Sequence, residues 1–149
     1  MEHLLRYRAP RLLPSFARAT VGDVMNVGVI GCAPDADVET VAAIMASHRI
    51  HSVVVDGIVQ EDGGERLVWG IISDLDLLRS APGRDSATAA QLASGEIVTV
   101  DPGDSLERAA QLMCEHDVSH LVVVSPASGR PSGILSALDL AATIAWGRA

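Results

Sequence analysis

Lysine is absent from this chain, aromatic residues make up 3% of it, and cysteine occurs twice in 149 residues. No apolar run is long enough to cross a bilayer. Each shortage excludes something. With 48% hydrophobic residues but one Phe, one Tyr and two Trp, the core must be built from Val, Ile, Leu, Ala and Met. Cys32 and Cys114 are too few and too poorly spaced for a disulfide framework or a zinc site, which favours a reducing, cytoplasmic compartment. Cys114, beside Met113 in a helical pattern, reads as a small core residue. All 11 basic residues are arginine against 19 acids, a net charge of −8. That balance argues against broad electrostatic binding of nucleic acid. It also argues against a pocket gathering many phosphates, unless basic residues concentrate locally. The all-arginine set itself reads as genome composition.

What the chain does have is a repeat. PDADVETVAAIMASHRIHSVVVD (34–56) aligns without a gap on PGDSLERAAQLMCEHDVSHLVVV (102–124), at the constant offset of 68 that separates Pro34 from Pro102. Glu39/Glu107, Met45/Met113 and His48/His116 match along the way. After a variable loop the match resumes at the offset of 63 that separates Gly70 from Gly133, with GIISDLDLL (70–78) against GILSALDLA (133–141). Two copies are too few for a solenoid and predict two halves related by a pseudo-twofold axis. The length suits a single compact body. The expected layout is an arm (1–19), repeat 1 (20–80), a linker (81–87) and repeat 2 (88–146).

Each copy predicts strand, helix, strand, strand, helix. Ile97–Val100 is a short strand broken by Pro102 and Gly103, and Asp104 with Glu107 offers a capping box to the next helix. Leu106, Ala109, Ala110 and Met113 form one apolar stripe; Val38, Val41, Ala42 and Met45 repeat it. Ser52–Asp56 and His120–Val124 read as buried strands. Turns follow at 57–66 and 125–131, then strands Leu67–Ser73 and Gly133–Ser136. Asp74–Ser80 and Ala137–Trp146 close the copies as helices. Thr20–Met25 and Thr88–Ala93 look like equivalent short lead-in helices. The N-terminal stretch, with Arg6, Arg8, Arg11 and Arg18, lacks the apolar run of a secretory signal. It reads as an arm packed on the body or on a partner, with a transit peptide as the lesser reading.

The sharpest shared element is Gly-x-x-Ser-x-x-Asp: Gly70, Ser73, Asp76 and Gly133, Ser136, Asp139. Each lies where a strand gives way to a helix, a junction whose free N–H groups favour an anion or polar ligand. An ionised Asp only accepts hydrogen bonds, so it selects a donor-bearing group such as a ribose diol. Ser-x-x-Asp is equally a helix capping box. The spacing does not separate the two roles.

These elements together resemble a tandem pair of cystathionine-β-synthase (CBS) domains, often called a Bateman module. TVGDVM (20–25), both Pro-to-Val blocks and both Gly-x-x-Ser-x-x-Asp endings carry the likeness, over roughly residues 20–146. The resemblance implies an α/β (α+β) fold of two βαββα repeats packed sheet to sheet, with two clefts between them. It implies that the Asp of one copy grips the ribose of an adenosyl ligand while the base lies on the strand start of the other. Asp139 and Ser136 would then work with Ile50, His51 and Ser52, and Asp76 and Ser73 with Val118, Ser119 and His120. Ile30 and Thr99 on the first strands would line the same clefts. Asp74 is matched by Ala137 and Arg49 by Asp117, so the clefts should differ in charge. If Arg49 borders the Asp139 cleft, that cleft is the better phosphate site.

The histidines fit no metal-ligand spacing, and a helix C-terminus favours His48 and His116 without a metal. Nothing resembles a catalytic constellation, so no enzyme activity, required cofactor, nucleic acid or membrane partner is expected. The first functional reading is a sensor of AMP, ADP, ATP or S-adenosylmethionine, acting as a homodimer on an unknown effector protein. The alternative is a ligand-free dimerisation or docking module. A third is divalent-cation sensing by Asp74, Asp76 and the acidic loop Glu61–Glu65, although Gly63-Gly64 there is ordinary turn chemistry.

Overall fold

The computed structural model describes residues 14–60, 66–80, 87–93 and 97–148. Most of the arm, the acidic loop at 61–65 and nearly all of the linker therefore lie outside the described residues. In chain order the elements are α1 (Val21–Val24), β1 (Asn26–Val27), β2 (Gly31–Cys32), α2 (Val38–His48), β3 (Ser52–Gln60), β4 (Arg66–Ser73), α3 (Asp74–Ser80), α4 (Ala89–Leu92), β5 (Thr99–Val100), α5 (Leu106–His116), β6 (His120–Val124), β7 (Pro131–Ser136) and α6 (Ala137–Trp146). The chain forms two units. One takes the chain up to Gly28 and again from Val98; the other is Val29–Ile97.

The first unit holds a four-stranded sheet in the order β1-β7-β6-β5, and the second a three-stranded sheet in the order β2-β3-β4. The two-residue strands β2 and β5 run parallel to β3 and β6, the strands after the long helices, while β3–β4, β6–β7 and β1–β7 are antiparallel pairs. A parallel neighbour requires a crossover, which α2 and α5 supply. Val53, Val54 and Val55 are buried, as are Leu121, Val122 and Val123. These strands are covered on both faces, as their unbroken apolar runs predict.

The long helices span 11 residues each, in the same repeat register. Leu106, Ala109 and Met113 are buried along α5, and Val41 and Met45 along α2. Ala42 departs from its expected stripe and Cys114 from its expected core position; both are exposed. The expected capping box of Asp104 and Glu107 is also corrected. Ser105 is the N-cap of α5, accepting from the Arg108 N–H at 3.1 Å, while Asp104 accepts from the Asp101 N–H at 3.0 Å. A helix starting at Leu106 puts Arg108, not Glu107, at the third position, so Glu107 cannot reach back. Asp37 caps α2 in the same way, accepting from the Thr40 N–H at 2.8 Å. Hydrogen bonding by the Thr40 side chain and then its backbone N–H holds the Asp37 carboxyl below its ordinary range.

Both long helices end on a non-glycine residue in the left-handed region, Arg49 at φ 53 and Asp117 at φ 52. The two positions that differ most in charge between copies are thus conformationally equivalent. The turn expected at 57–66 is shorter than read. β3 continues to Gln60 through a bulge between Asp56 and Ile58, where Gly57 takes φ 86, and β4 resumes at Arg66. Likewise β7 begins at Pro131, two residues before Gly133.

The two short lead-in helices form as expected, and each docks on the other copy. Val21 and Gly22 of α1 donate to Asp104 O and Pro102 O at 2.9 and 2.8 Å. Ala89 and Ala90 of α4 donate to Ala36 O and Pro34 O at 2.8 and 2.9 Å. A four-residue helix satisfies few of its own N–H groups, so these loop carbonyls complete it. The first unit therefore combines the second copy with the segment preceding the first, and the second unit does the reverse.

Candidate functional site

β7 ends at Ser136 and α6 starts at Ala137. The Ser136 Oγ accepts from the Asp139 N–H at 3.2 Å, and Asp139 Oδ2 accepts from the Ser136 N–H at 2.8 Å. In the second unit the Ser73 Oγ accepts from the Asp76 N–H at 3.1 Å, and Asp76 Oδ2 from the Ser73 N–H at 2.9 Å. Both endings are thus capping boxes. In both, Oδ2 does the capping, while Oδ1 takes no hydrogen bond from the described residues. Both Asp side chains are half-buried. Capping leaves each carboxylate with a spare acceptor oxygen, so a cap and a diol site are compatible in one residue.

The helical turn below each Asp is repeated too. Thr143, 1% exposed, donates its hydroxyl to Asp139 O at 3.0 Å, and Ser80 donates to Asp76 O at 3.0 Å. A hydroxyl four residues after each Asp is a repeated signal in the sequence, beyond the Ser-x-x-Asp motif.

Within each unit the strand start lies beside that unit's own ending. Ser52 is registered against Ser73 and His120 against Ser136. The Asp74 N–H donates to His51 O and the Ala137 N–H to Ser119 O, both at 2.8 Å. Ile50 and Val118, half-buried, follow the left-handed residues and donate to Met45 O and Met113 O at 3.1 and 3.0 Å. In the second unit, then, Ser73, Asp76, Ile50, His51 and Ser52 gather at one strand-helix corner, with Arg49 at the preceding helix end. In the first unit Ser136, Asp139, Val118, Ser119 and His120 do so. Ile30 accepts from the Val54 N–H at 2.9 Å just before β2, and Thr99 is exposed on β5, paired with Val122.

The corners differ in chemistry. His51 Nδ1 meets Asp74 Oδ2 at 2.9 Å, with side chains 67% and 54% exposed, so the pair is solvent-screened and contributes under about 1 kcal/mol. Ala137 precludes that pair in the other unit, where His120 Nδ1 instead meets Ser119 Oγ at 3.0 Å. The extra acid of the first copy is therefore engaged by its own histidine. His48 bonds Ile44 O at 3.0 Å through Nδ1, consistent with an imidazole closing a helix C-terminus. Burial raises the Cys32 thiol above its ordinary value and keeps it protonated. Among the described residues, no group of three or more His, Cys, Asp or Glu could hold a metal ion. Among the same residues, no helix is long and apolar enough to cross a membrane.

Sequence reasoning missed one contributor, Asn26, and the reason for another, Gly133. Asn26 on β1 donates from Nδ2 to Asp139 Oδ2 at 3.2 Å, a contact between residues 113 apart in the chain. Gly133 is buried beneath the same strand, and a Cβ built there would stand 2.5 Å from Asn26 O. The glycine of the second ending is thus required by backbone approach, which no local pattern reveals.

The CBS-domain family profile matches residues 21–83 and 89–145. The CBS domain-containing protein YhcV of Bacillus subtilis is 31% identical over 126 residues, covering 83% of this chain and 84% of that protein. Hypoxic response protein 1 of Mycobacterium tuberculosis is 33% identical over 127 residues, 82% of each chain. A crystal structure of Hypoxic Response Protein I with two coordinated zinc ions superposes with a TM-score of 0.63 at 29% identity, over 83% of this chain and 97% of that one. A CBS domain pair solved with 5′-methylthioadenosine and S-adenosyl-L-methionine has a TM-score of 0.68 at 22% identity, again over 83% and 97%, a likeness of fold. With both family matches in register with both strand-helix corners, the chain belongs to the CBS-domain family as a tandem CBS pair.

Proposed function

We propose that this CBS pair is a regulatory module, not an enzyme, that binds an adenosine-containing metabolite through its two Ser-x-x-Asp endings. The observation that carries the reading is the repeated corner. In both units a half-buried carboxylate keeps Oδ1 available after capping, beside an accessible strand start. An acceptor-only group suits a vicinal diol. The 5′-methylthioadenosine and S-adenosyl-L-methionine of the solved CBS pair, and the ATP of another at 19% identity, are ligands with that feature. Each unit offers one ribose-gripping ending, Ser73 with Asp76 or Ser136 with Asp139. Each also offers one strand start for the base, Ile50–His51–Ser52 or Val118–Ser119–His120. The resemblance pairs endings with strand starts across the copies, with Ile30 and Thr99 as lining and Arg49 as the phosphate partner. Output passes to an effector protein as a change of conformation or association, which requires two states of different ligand affinity.

Thermal unfolding with AMP, ADP, ATP and S-adenosylmethionine tests this, each variant compared with its own ligand-free baseline. A ligand at a hundred times its dissociation constant adds about 2.7 kcal/mol, a rise of roughly 5–10 °C for a chain of this size. The rise is expected in the parent and should be lost in Asp139→Ala, in Asp76→Ala or in both. Capping loss alone lowers the baseline by about 1 kcal/mol and leaves any ligand increment intact. No increment with any ligand sinks the sensor reading.

A second reading, ligand-free association, is favoured by one observation. The helices that follow the two endings expose Leu75 (49%) and Leu78 (70%) on α3, and Leu138 (64%) and Ile144 (68%) on α6. Leu75 and Leu138 are repeat partners, so the same position is apolar and uncovered twice. A homodimer formed through these helices should show concentration-dependent mass in analytical ultracentrifugation. Leu78→Arg with Ile144→Arg should shift it to monomer with little change in unfolding. A concentration-independent monomeric mass in the parent removes the dimer.

A further inference from the structure

The two carboxylates of the endings are alike in their caps and unlike in what else they hold. Asp76 Oδ2 takes the Ser73 N–H alone among the described residues. Asp139 Oδ2 takes both the Ser136 N–H at 2.8 Å and the Asn26 carboxamide at 3.2 Å. A carboxylate oxygen has two lone-pair sites, so Asp139 Oδ2 is saturated, held from two directions by the backbone N–H and the carboxamide. We propose that Asn26 is a positioning residue for ligand binding: it locks the Asp139 carboxylate so that Oδ1 alone meets the ribose diol. This rests on the adenosyl-sensor reading above and deepens it at one of the two endings.

Three features of the fold put Asn26 there. β1 pairs with β7 through Asn26 against Ile134 and Val27 against Gly133. Gly133, lacking a Cβ, lets the Asn26 carbonyl come close enough for that pairing. The Gly28 N–H then donates to Ser132 O at 2.8 Å, with Gly28 at φ 85. That bond pins the strand at the residue where the chain leaves this unit for the other. A ligand that pulls on Oδ1 therefore pulls on a carboxylate tied to β1. Serine stands at the matching sequence position of the other copy, Ser94, outside the described residues. It has a hydroxyl where Asn26 has a carboxamide.

A locked carboxylate discriminates between diols, whereas a free one adapts to what is offered. The experiment is calorimetric titration of the full chain with AMP and with 2′-deoxy-AMP, on the parent, Asn26→Ala, the near-isosteric Asn26→Asp, and Asp139→Ala. The parent should bind AMP at least tenfold more tightly than 2′-deoxy-AMP. Asn26→Ala should weaken AMP about tenfold, the order expected for one charge-assisted hydrogen bond, and bring the ratio of the two constants close to one. Asn26→Asp replaces the donor with a second carboxylate and should weaken AMP further. Both constants come from one preparation, so partial unfolding of a variant cancels in their ratio. A purely structural role for Asn26 would lower the unfolding temperature and leave that ratio unchanged. If Asp139→Ala abolishes AMP binding while both Asn26 variants keep the parent's affinity and ratio, this inference alone is overturned. If Asp139→Ala binds AMP like the parent, or the parent binds no AMP, the ribose role of Asp139 falls and this inference with it.

Discussion

Gly133→Ala is expected to cost about 3 kcal/mol, the upper end of overpacking penalties. The added Cβ would sit 2.5 Å from Asn26 O and 3.1 Å from Met25 Sδ. The methionine side chain can turn away, but the carbonyl belongs to paired backbone. β1 is held on one side by its pairing with β7 and beyond it by the Gly28 N–H on Ser132 O. The substitution must therefore separate β1 from β7 or bend β7 at the root of α6. Urea unfolding checks it, with Gly103→Ala as the control. A Cβ at Gly103 meets nothing within 4 Å, so that change should stay within about 0.5 kcal/mol of the parent. A Gly133→Ala protein as stable as the control would show that the motif glycine is not a steric requirement.

The second large effect is Leu121→Ala, expected at about 3 kcal/mol, against about 2 kcal/mol for its repeat partner Val53→Ala. Leu121 and Val53 occupy the same place in their copies, the first buried position of the strand after the long helix, at 0% and 1% exposure. Their burial and neighbouring elements match; what differs is the volume removed and hence the cavity left. Leu121 belongs to a core with Leu106, Met113 and Leu135, and Val53 to one with Val41, Met45 and Ile72. Denaturant unfolding gives the two losses. Native-state hydrogen exchange should show Leu121→Ala loosening β6 and Val53→Ala loosening β3. Equal losses, or a larger one for Val53→Ala, would mean that the repeat's two cores do not respond by volume.

Much of this architecture was legible because the signal came twice. The helices at 38–48 and 106–116 and the buried strands at 52 and 120 agree with each other in the sequence alone. Helices α3 and α6 begin and end where the pattern placed them. Errors fell where one residue of phase matters. Asp104 and Ser105 are both capping-competent and stand side by side, and only the first helical residue decides that Ser105 is the N-cap. The turn after Asp56 is shorter than the pattern predicts because Asp56 and Gly57 look like a strand end, whereas they form a bulge through which β3 continues over Ile58 and Val59. At the candidate site, both Ser-x-x-Asp boxes were visible in the sequence as caps and as diol acceptors at once. Their geometry is that of a cap with an acceptor oxygen left over.

By itself the sequence determined the twofold repeat, the family, the element order of each copy and the residues of the two endings. Those properties are written in local periodicity and in motif spacing, and the second copy checks the first. Tertiary structure alone decided three things. It put each lead-in helix on the other copy's loop, through hydrogen bonds from Val21, Gly22, Ala89 and Ala90. It explained Gly133 by the carbonyl of Asn26, and it joined Asn26 to Asp139. All three are pairings between distant stretches of chain, made by unsatisfied backbone groups and by the room a missing Cβ leaves. Sequence periodicity records which face of an element is apolar, and carries no record of which remote strand will lie against it.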